Sequence, residues 1–307
     1  MYDNPIDFWK NFRLGTELQI SGSLIYNALY SLDQIEYFYY EHEVFEFLYS
    51  LSIGIERLEK IVVILSEHDE GINQDEFEKT LITHNHLELL KRIRTKHTVN
   101  LGKQHVKFLQ FISDFYKRTR YSRYNLKSVY EKNQDLHGFV NFLKEEFNVT
   151  EEQGIQPMVS NSVRVKRIIG KLVGKITTVF YELVHRETTR LNLFTHEIES
   201  YSKAYKIFIA KEFTFEKERY LQKEILILLH SGKLDDGMTR LIKSIEPLPL
   251  ENYSSTEYIR FLMDIRNNNN ILDEMESVLE DEPMTKERSE QVSLIGRDDL
   301  FFPEEEI

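Results

Sequence analysis

A segment that mixes basic and aromatic residues is the first part of the sequence whose residue types could carry chemistry. Lys117 to Lys127 reads KRTRYSRYNLK, with five basic residues and no acidic one. Guanidinium groups hold phosphates, and tyrosine rings stack on unpaired bases. The residues predicted to contact nucleic acid here are Lys117, Arg118, Arg120, Tyr121 and Arg123. The alternative, which stays open, is that the tyrosines belong to the core and the arginines to a solvated helix end.

A second basic segment has a similar character. Val159 to Lys175, VSNSVRVKRIIGKLVGK, also contains five basic residues and no acid. These are Arg164, Lys166, Arg167, Lys171 and Lys175. Apolar and basic residues alternate at helical spacing, which predicts a helix side that faces phosphates or a partner. We take the first three of these cations as further nucleic-acid-binding candidates.

Other chemical signatures are weak. His84 and His86 form a His-x-His pair, but no further ligand follows at helical spacing, which favours exposed imidazoles at a helix start over a metal site. The chain has no cysteine, which excludes disulfides, thiolate zinc sites and a cysteine nucleophile. It has no glycine-rich phosphate loop and no GxSxG turn. We therefore expect neither a metal nor a cofactor.

Length and composition indicate a globular protein. The 307 residues are 41 % hydrophobic and 29 % charged, with a formal net charge of −12. No apolar run reaches the roughly 18 to 20 residues that a membrane span needs, and the first residues, MYDNP, do not resemble a secretory signal. Together with the lack of cysteine, this favours a cytoplasmic protein without membrane contact.

The negative charge is concentrated at one end. Residues 271–307 contain 13 acidic and three basic residues, whereas the first 270 residues are nearly neutral. The last residues, DDLFFPEEEI, place apolar side chains among acids. Such a tail suits docking on a basic, partly apolar surface, either of a partner protein or of this chain's own basic helices. The alternative is a solubilising disordered end.

Helical periodicity dominates the elements that must position these residues. Apolar residues recur at three and four positions from Glu43 to Leu65, and further helices are expected from about His105 to Tyr121 and from Leu136 to Phe147. Gly154 and Pro157 then mark the clearest boundary in the chain.

The segment after this boundary also reads as helix. Ser160 to Phe213 contains no proline and is interrupted only by Gly170 and Gly174, which predicts one long helix kinked near these glycines or two helices in line. Shorter helices are expected at Glu216–His230, Leu234–Ile245 and Ser255–Asn267. No period-two alternation competes, so the predicted class is all-α. The predicted regions are a helical bundle at 1–150, a second helical region at 158–270 and an acidic, partly disordered tail at 271–307.

Three segments within residues 40–125 carry a family resemblance. They are GIERLEKIVVIL at Gly54–Leu65, THNHLELLKRI at Thr83–Ile93 and FYKRTRYSRY at Phe115–Tyr124. Their arrangement resembles the HEPN (higher eukaryotes and prokaryotes nucleotide-binding) superfamily of helical domains. The corresponding residues are Glu56, Arg57 and Lys60, then His84 or His86 with Leu87 and Leu90, then Arg120 and Tyr121.

The resemblance implies an activity whose catalytic residues can be sought in this sequence. Many HEPN proteins are metal-independent RNA endonucleases that work as dimers and carry an Arg followed, after four to six residues, by a His. In such a site the imidazole removes a proton from the ribose 2′-hydroxyl and the guanidinium holds the scissile phosphate. Two pairs match this spacing, Arg92 with His97 and Arg190 with His196.

Chance alone produces pairs at these spacings in a chain with this many Arg and His residues, so position must decide. Steps of five or six residues turn two helical side chains about 140° or 120° apart, and they converge only where a helix ends or bends or where a second subunit completes the site. Arg92 and His97 lie just before the break at Asn100–Gly102, which makes them the first choice, against a plain basic helix end. Arg190 and His196 lie inside the predicted long helix and are the second choice, against surface positions.

Two functions follow from these observations. The first is a HEPN-type ribonuclease of the prokaryotic toxin or anti-phage defence kind, dimeric and metal-free, with His97 as base and Arg92 as phosphate ligand. The second is a non-catalytic HEPN-like regulatory or assembly subunit that binds RNA, nucleotide or a partner protein. The acidic net charge favours the second, because a nearly neutral body is a poor RNA binder overall.

Overall fold

The structure is a computed structural model that describes residues 4–121, 126, 134–150, 159–263, 269–281, 283–297 and 299–300, with the backbone alone at 118–121 and 269. Within these ranges the regular elements are all helical, and an isolated antiparallel bridge joins Tyr37 to Ser160. This confirms the predicted all-α class. The chain divides into two compact units, Met1–Phe215 and Glu216–Ile307.

The helices of the first unit follow one another along the chain. They are α1 (Pro5–Phe8), α2 (Leu14–Gln34), α3 (Glu41–Glu67), α4 (Gln74–Thr80), α5 (His86–Lys96), α6 (Lys103–Tyr121), α7 (Gln134–Phe147), α8 (Val163–Leu191) and α9 (Lys203–Phe208). A π-helical turn, Trp9–Arg13, joins α1 to α2.

Helix α3 is the centre of the first unit. It packs against α2, α5, α6, α7 and α8. Phe47, Leu51, Ile55, Leu58 and Val62 recur at helical spacing along it and are almost fully buried. Because neighbours cover several of its faces, polar residues of α3 are also buried and must find partners inside the protein.

The predicted boundary near residue 150 does not coincide with the division into units. Helices α8 and α9 belong to the first unit, where α8 packs on α3 and α9 on α2. The reason is the apolar side of α8, whose residues Ile169, Val173, Ile176, Phe180 and Val184 join the same core as α3. The predicted region 158–270 is therefore shared between the two units.

Helix α8 is uninterrupted but shorter than predicted. It ends at Leu191, and Asn192 follows in a left-handed conformation at φ 55°. The chain then returns, so that Phe213 packs against the helix. A Cβ at Gly170 would lie 2.7 Å from the Phe213 carbonyl oxygen, and one at Gly174 would lie 2.7 Å from the Phe213 ring. The two glycines therefore admit a close neighbour rather than interrupt the helix.

The second unit consists of short helices. They are α10 (Glu216–His230), α11 (Gly237–Ser244), α12 (Ser255–Met263), α13 (Asn269–Asp281) and α14 (Lys286–Ser293). Two of them lie in the stretch predicted as an acidic tail. Glu274 is 5 % exposed and accepts hydrogen bonds from the backbone N–H groups of Glu251 (2.9 Å) and Asn252 (2.7 Å) and from the Tyr258 hydroxyl (2.8 Å). This carboxylate ties the loop before α12 to α13.

Candidate functional site

Arg92, the predicted phosphate ligand, binds other groups of the protein. Its Nη2 and Nε donate to the two carboxylate oxygens of Glu67, at 2.7 Å and 3.3 Å. Nη1 donates to the backbone carbonyl of Thr80 at 2.9 Å. This bidentate contact with a carboxylate is one of the stronger polar contacts of proteins. Arg92 therefore links α5 to the ends of α3 and α4.

His97 lies at the C-terminal end of α5, where the helix stops, as the sequence predicted. Its Nε2 is 2.7 Å from the Ser66 hydroxyl and 3.7 Å from Glu187 Oε1. Ser66 donates its own proton to the Val62 carbonyl at 2.6 Å, so the hydroxyl accepts from the His97 Nε2–H. Burial lowers the pKa of His97; Glu187 opposes this, and the positive charges of Arg186 and Arg190 reinforce it.

The second predicted pair has separate partners. Arg190 donates to Glu187 Oε2 from Nε at 2.8 Å, and more than half of its side chain is exposed. His196 Nδ1 lies 3.0 Å from the Thr188 hydroxyl, and its ring meets that of His185 edge-on at 4.7 Å. Burial lowers the pKa of His196, and His185 lowers it further. Arg190 and His196 therefore face different neighbours.

His97 from the first predicted pair and Arg190 from the second both contact Glu187. Glu187 Oε1 faces His97 at 3.7 Å, and Oε2 contacts Arg190 Nη2 at 2.6 Å. Glu187 and Ser66 complete this cluster, and neither was among the predicted site residues. His97 and Glu187 are far apart in the chain, so no spacing rule could join them. We call Ser66, His97, Glu187 and Arg190 the Glu187 cluster.

The segments that carry the family resemblance contact one another. Glu56 on α3 binds Lys60 Nζ through Oε1 at 2.6 Å and His84 Nδ1 through Oε2 at 2.9 Å. Arg57 forms an ion pair with Glu17 on α2. The resembling residues of α3 and of the segment before α5 therefore hold neighbouring elements of the bundle together.

A second histidine contact beside these is fully buried. His86 Nδ1 lies 2.6 Å from Glu59 Oε2, and His86 Nε2 lies 3.1 Å from the Ser52 hydroxyl. All three side chains are inaccessible to solvent, so this serine, histidine and carboxylate cannot contact a substrate. Burial raises the pKa of Glu59, which the nearby His86 partly offsets. His84 and His86 thus contact two different carboxylates of α3, those of Glu56 and Glu59.

The basic segment of α8 has a clear solvent-exposed side. Arg164, Arg167, Lys171 and Lys175 are all exposed and follow one another at steps of three, four and four residues. We call these four residues the α8 basic face. Lys166 points away from it and is 3.6 Å from Asp33 Oδ1, where it links α8 to the end of α2. Lys171 and Lys175 were not among the predicted nucleic-acid-binding residues, although their helical spacing was the available signal.

The first basic segment can be placed only in part. Lys117 is exposed near the end of α6, whereas the side chains of Arg118, Arg120 and Tyr121 and all of Arg123 lie outside the described residues. Tyr116, just before them, is buried and stacks on Tyr49 at 5.8 Å between ring centroids. Tyr116 is therefore a core residue.

The described residues contain no group of three or more His, Asp or Glu side chains placed to hold a metal ion. No helix in the described ranges is both long and apolar enough to cross a bilayer. No family model, no curated protein and no solved structure matches the chain.

Proposed function

We propose that this chain is a non-catalytic, HEPN-like helical protein that binds RNA on the α8 basic face. The observation that carries the proposal is the exposure of Arg164, Arg167, Lys171 and Lys175 on one side of a single helix. The contact of Glu56 with His84 supports the HEPN-like part, because it joins two of the segments in which the resemblance lies.

The geometry of this face suits a polyanion. At 1.5 Å rise per residue, Arg164 and Lys175 are about 16 Å apart along the helix axis. Four cations over that length neutralise successive phosphates, and the release of counterions then drives binding. Arg164 already donates from Nη2 to the Phe147 carbonyl at 3.1 Å, which holds its guanidinium in place at one end of the face.

The partners of Arg92 support the non-catalytic form of the proposal. A phosphate ligand needs donors that point to substrate, but three nitrogens of this guanidinium donate to Glu67 and Thr80. Replacing those contacts with contacts to RNA would leave the Glu67 carboxylate without its cation.

The first test measures RNA affinity after removal of charge. We expect Lys171→Gln/Lys175→Gln to weaken binding of a fluorescently labelled single-stranded RNA about tenfold in fluorescence anisotropy, because two phosphate contacts are lost. The matched control is Lys79→Gln/Lys91→Gln, which removes the same charge from exposed positions on α4 and α5. Equal weakening in both variants would indicate a general charge effect and contradict an interface on α8.

A second function, a HEPN-type metal-independent endoribonuclease, is favoured by the Glu187 cluster. His97 and Arg190 approach the same carboxylate, and a His97 with lowered pKa is neutral near pH 7, as a general base must be. In this form the arginine comes from the second predicted pair, and a second copy of the chain would complete the site.

Incubation of the protein with single-stranded RNA in the presence of a chelator tests this second function. Cleavage that His97→Ala abolishes and His196→Ala retains would establish it and overturn the non-catalytic form. The proposed non-catalytic function predicts that the protein binds RNA without cleaving it. The homodimer or partner protein, and docking of the acidic tail on a basic surface, stay predictions.

A further inference from the structure

Three tyrosines that were not among the predicted site residues are exposed between α2 and α3. Tyr37, Tyr39 and Tyr40 have 42 %, 47 % and 54 % of their surface accessible. Single exposed aromatic side chains are common on protein surfaces, whereas a cluster of them is typical of an interaction site. The rings of Tyr39 and Tyr40 meet at right angles, 4.8 Å apart. We call these three residues the tyrosine loop.

The backbone of the tyrosine loop is held firmly. Phe38 points inward, is 4 % exposed and packs edge-on against Phe139 at 5.3 Å. The Phe38 N–H donates to the Val159 carbonyl at 3.0 Å, and the Asn161 N–H donates to the Glu36 carbonyl at 2.8 Å. With the backbone fixed in this way, stacking on the tyrosines requires little further ordering of the chain.

The same contacts place the tyrosine loop at one end of the α8 basic face. Tyr37 is paired with Ser160, and Arg164 follows four residues later, within about 14 Å of chain. The buried side chain of Asn161 fixes this neighbourhood, because its Nδ2 donates to the carbonyl of Leu32 at 2.6 Å and to that of Ile35 at 2.9 Å. One extended single strand of RNA can therefore contact both the tyrosine loop and the α8 basic face.

The charges of the neighbouring residues determine which part of an RNA strand would contact the tyrosine loop and which part the α8 basic face. Glu36 is exposed beside the tyrosines and would repel a phosphate there, whereas Arg164 and Arg167 attract phosphates on the α8 side. Bases carry no net charge and have apolar faces, so they suit the tyrosine rings. The bases of a duplex are already stacked and paired, so they cannot stack on the tyrosine loop.

We infer that the tyrosine loop is a stacking platform for unpaired bases, which makes the RNA site on α8 selective for single strands. The inference rests on the proposed function, because the phosphates of the same strand must occupy the α8 basic face. It adds the part of the ligand that the cations alone do not recognise.

The test compares ligands with and without bases. We expect Tyr39→Leu/Tyr40→Leu to weaken binding of a single-stranded RNA about tenfold or more, while binding of inorganic polyphosphate stays unchanged. The preference of the wild-type protein for single-stranded over duplex RNA should be lost. Tyr39→Phe/Tyr40→Phe, which keeps both rings, should bind as the wild type does, and Tyr201→Leu, at a tyrosine that is 98 % exposed elsewhere, is the control.

The outcomes separate the inference from the proposed function. If the wild-type protein binds single-stranded RNA and the leucine variant binds it equally well, the platform is wrong and the α8 interface stands. The platform is also wrong if polyphosphate binding falls in parallel, because the tyrosines then act through the fold. If the wild-type protein binds neither RNA nor polyphosphate, the proposed function is wrong and the inference fails with it.

Discussion

His86 and His84 are two residues apart, yet the structure places them in very different surroundings. His86, Glu59 and Ser52 are completely buried, whereas about a third of the His84 side chain remains accessible beside Glu56. A buried carboxylate that loses its partner is left with a large desolvation cost, and one at the surface is rehydrated. The two histidines therefore differ in what they contribute to stability.

We expect His86→Ala to lower the free energy of unfolding by about 3 kcal/mol or more, because Glu59 would remain buried without its partner. His84→Ala should lower it by about 1 kcal/mol or less. Urea denaturation followed by circular dichroism at 222 nm measures both. Equal losses in the two variants would contradict the structural role of the buried pair.

The residue types of the site could be predicted from the sequence, but their partners could not, for a physical reason. The resemblance named Glu56 and either His84 or His86 without predicting a contact between them, and the structure places His84 against Glu56. Spacing paired Arg92 with His97, whereas a salt bridge to Glu67 and a hydrogen bond to Ser66 hold them separately. Spacing describes neighbours within one helix, but these partners come from other helices, which only tertiary packing brings close.

Among the elements, α8 shows which features of a helix its hydrophobic periodicity can predict. Its apolar and basic sides follow the 3.6-residue repeat and were predictable, but its end at Leu191 was missed, because asparagine at Asn192 is a weaker stop signal than glycine or proline. The role of Gly170 was also hidden. Sequence shows that a Cβ is missing there but not that Phe213 returns to occupy its place.

Gly170→Ala tests the close approach of α8 and Phe213. The new Cβ would lie 2.7 Å from the Phe213 carbonyl oxygen, so we expect a loss of about 1 to 3 kcal/mol in the free energy of unfolding, despite the better helix propensity of alanine. The control is Gly15→Ala in α2, where the nearest atom would be 3.8 Å away. That substitution should be neutral or stabilising by up to about 1 kcal/mol. A neutral Gly170→Ala would contradict the close approach.

At the scale of the whole molecule, net charge alone is a poor guide to what this protein binds. Ten of the twelve net negative charges belong to residues 271–307, while the α8 basic face lies in the nearly neutral first unit. Composition and periodicity together were sufficient to predict the class and the basic segment. The exposure of four cations on one face depended on which side of α8 joins the core, and the structure supplies that information.

The salt dependence of RNA affinity tests the central claim most directly. If the four cations of the α8 basic face each neutralise a phosphate of a single strand, the logarithm of the association constant falls with the logarithm of salt concentration with a slope of about −3. The slope should be about −1.4 for Lys171→Gln/Lys175→Gln and unchanged for Lys79→Gln/Lys91→Gln. A slope near zero in the wild-type protein, or the same slope in all three proteins, would contradict an RNA interface on α8.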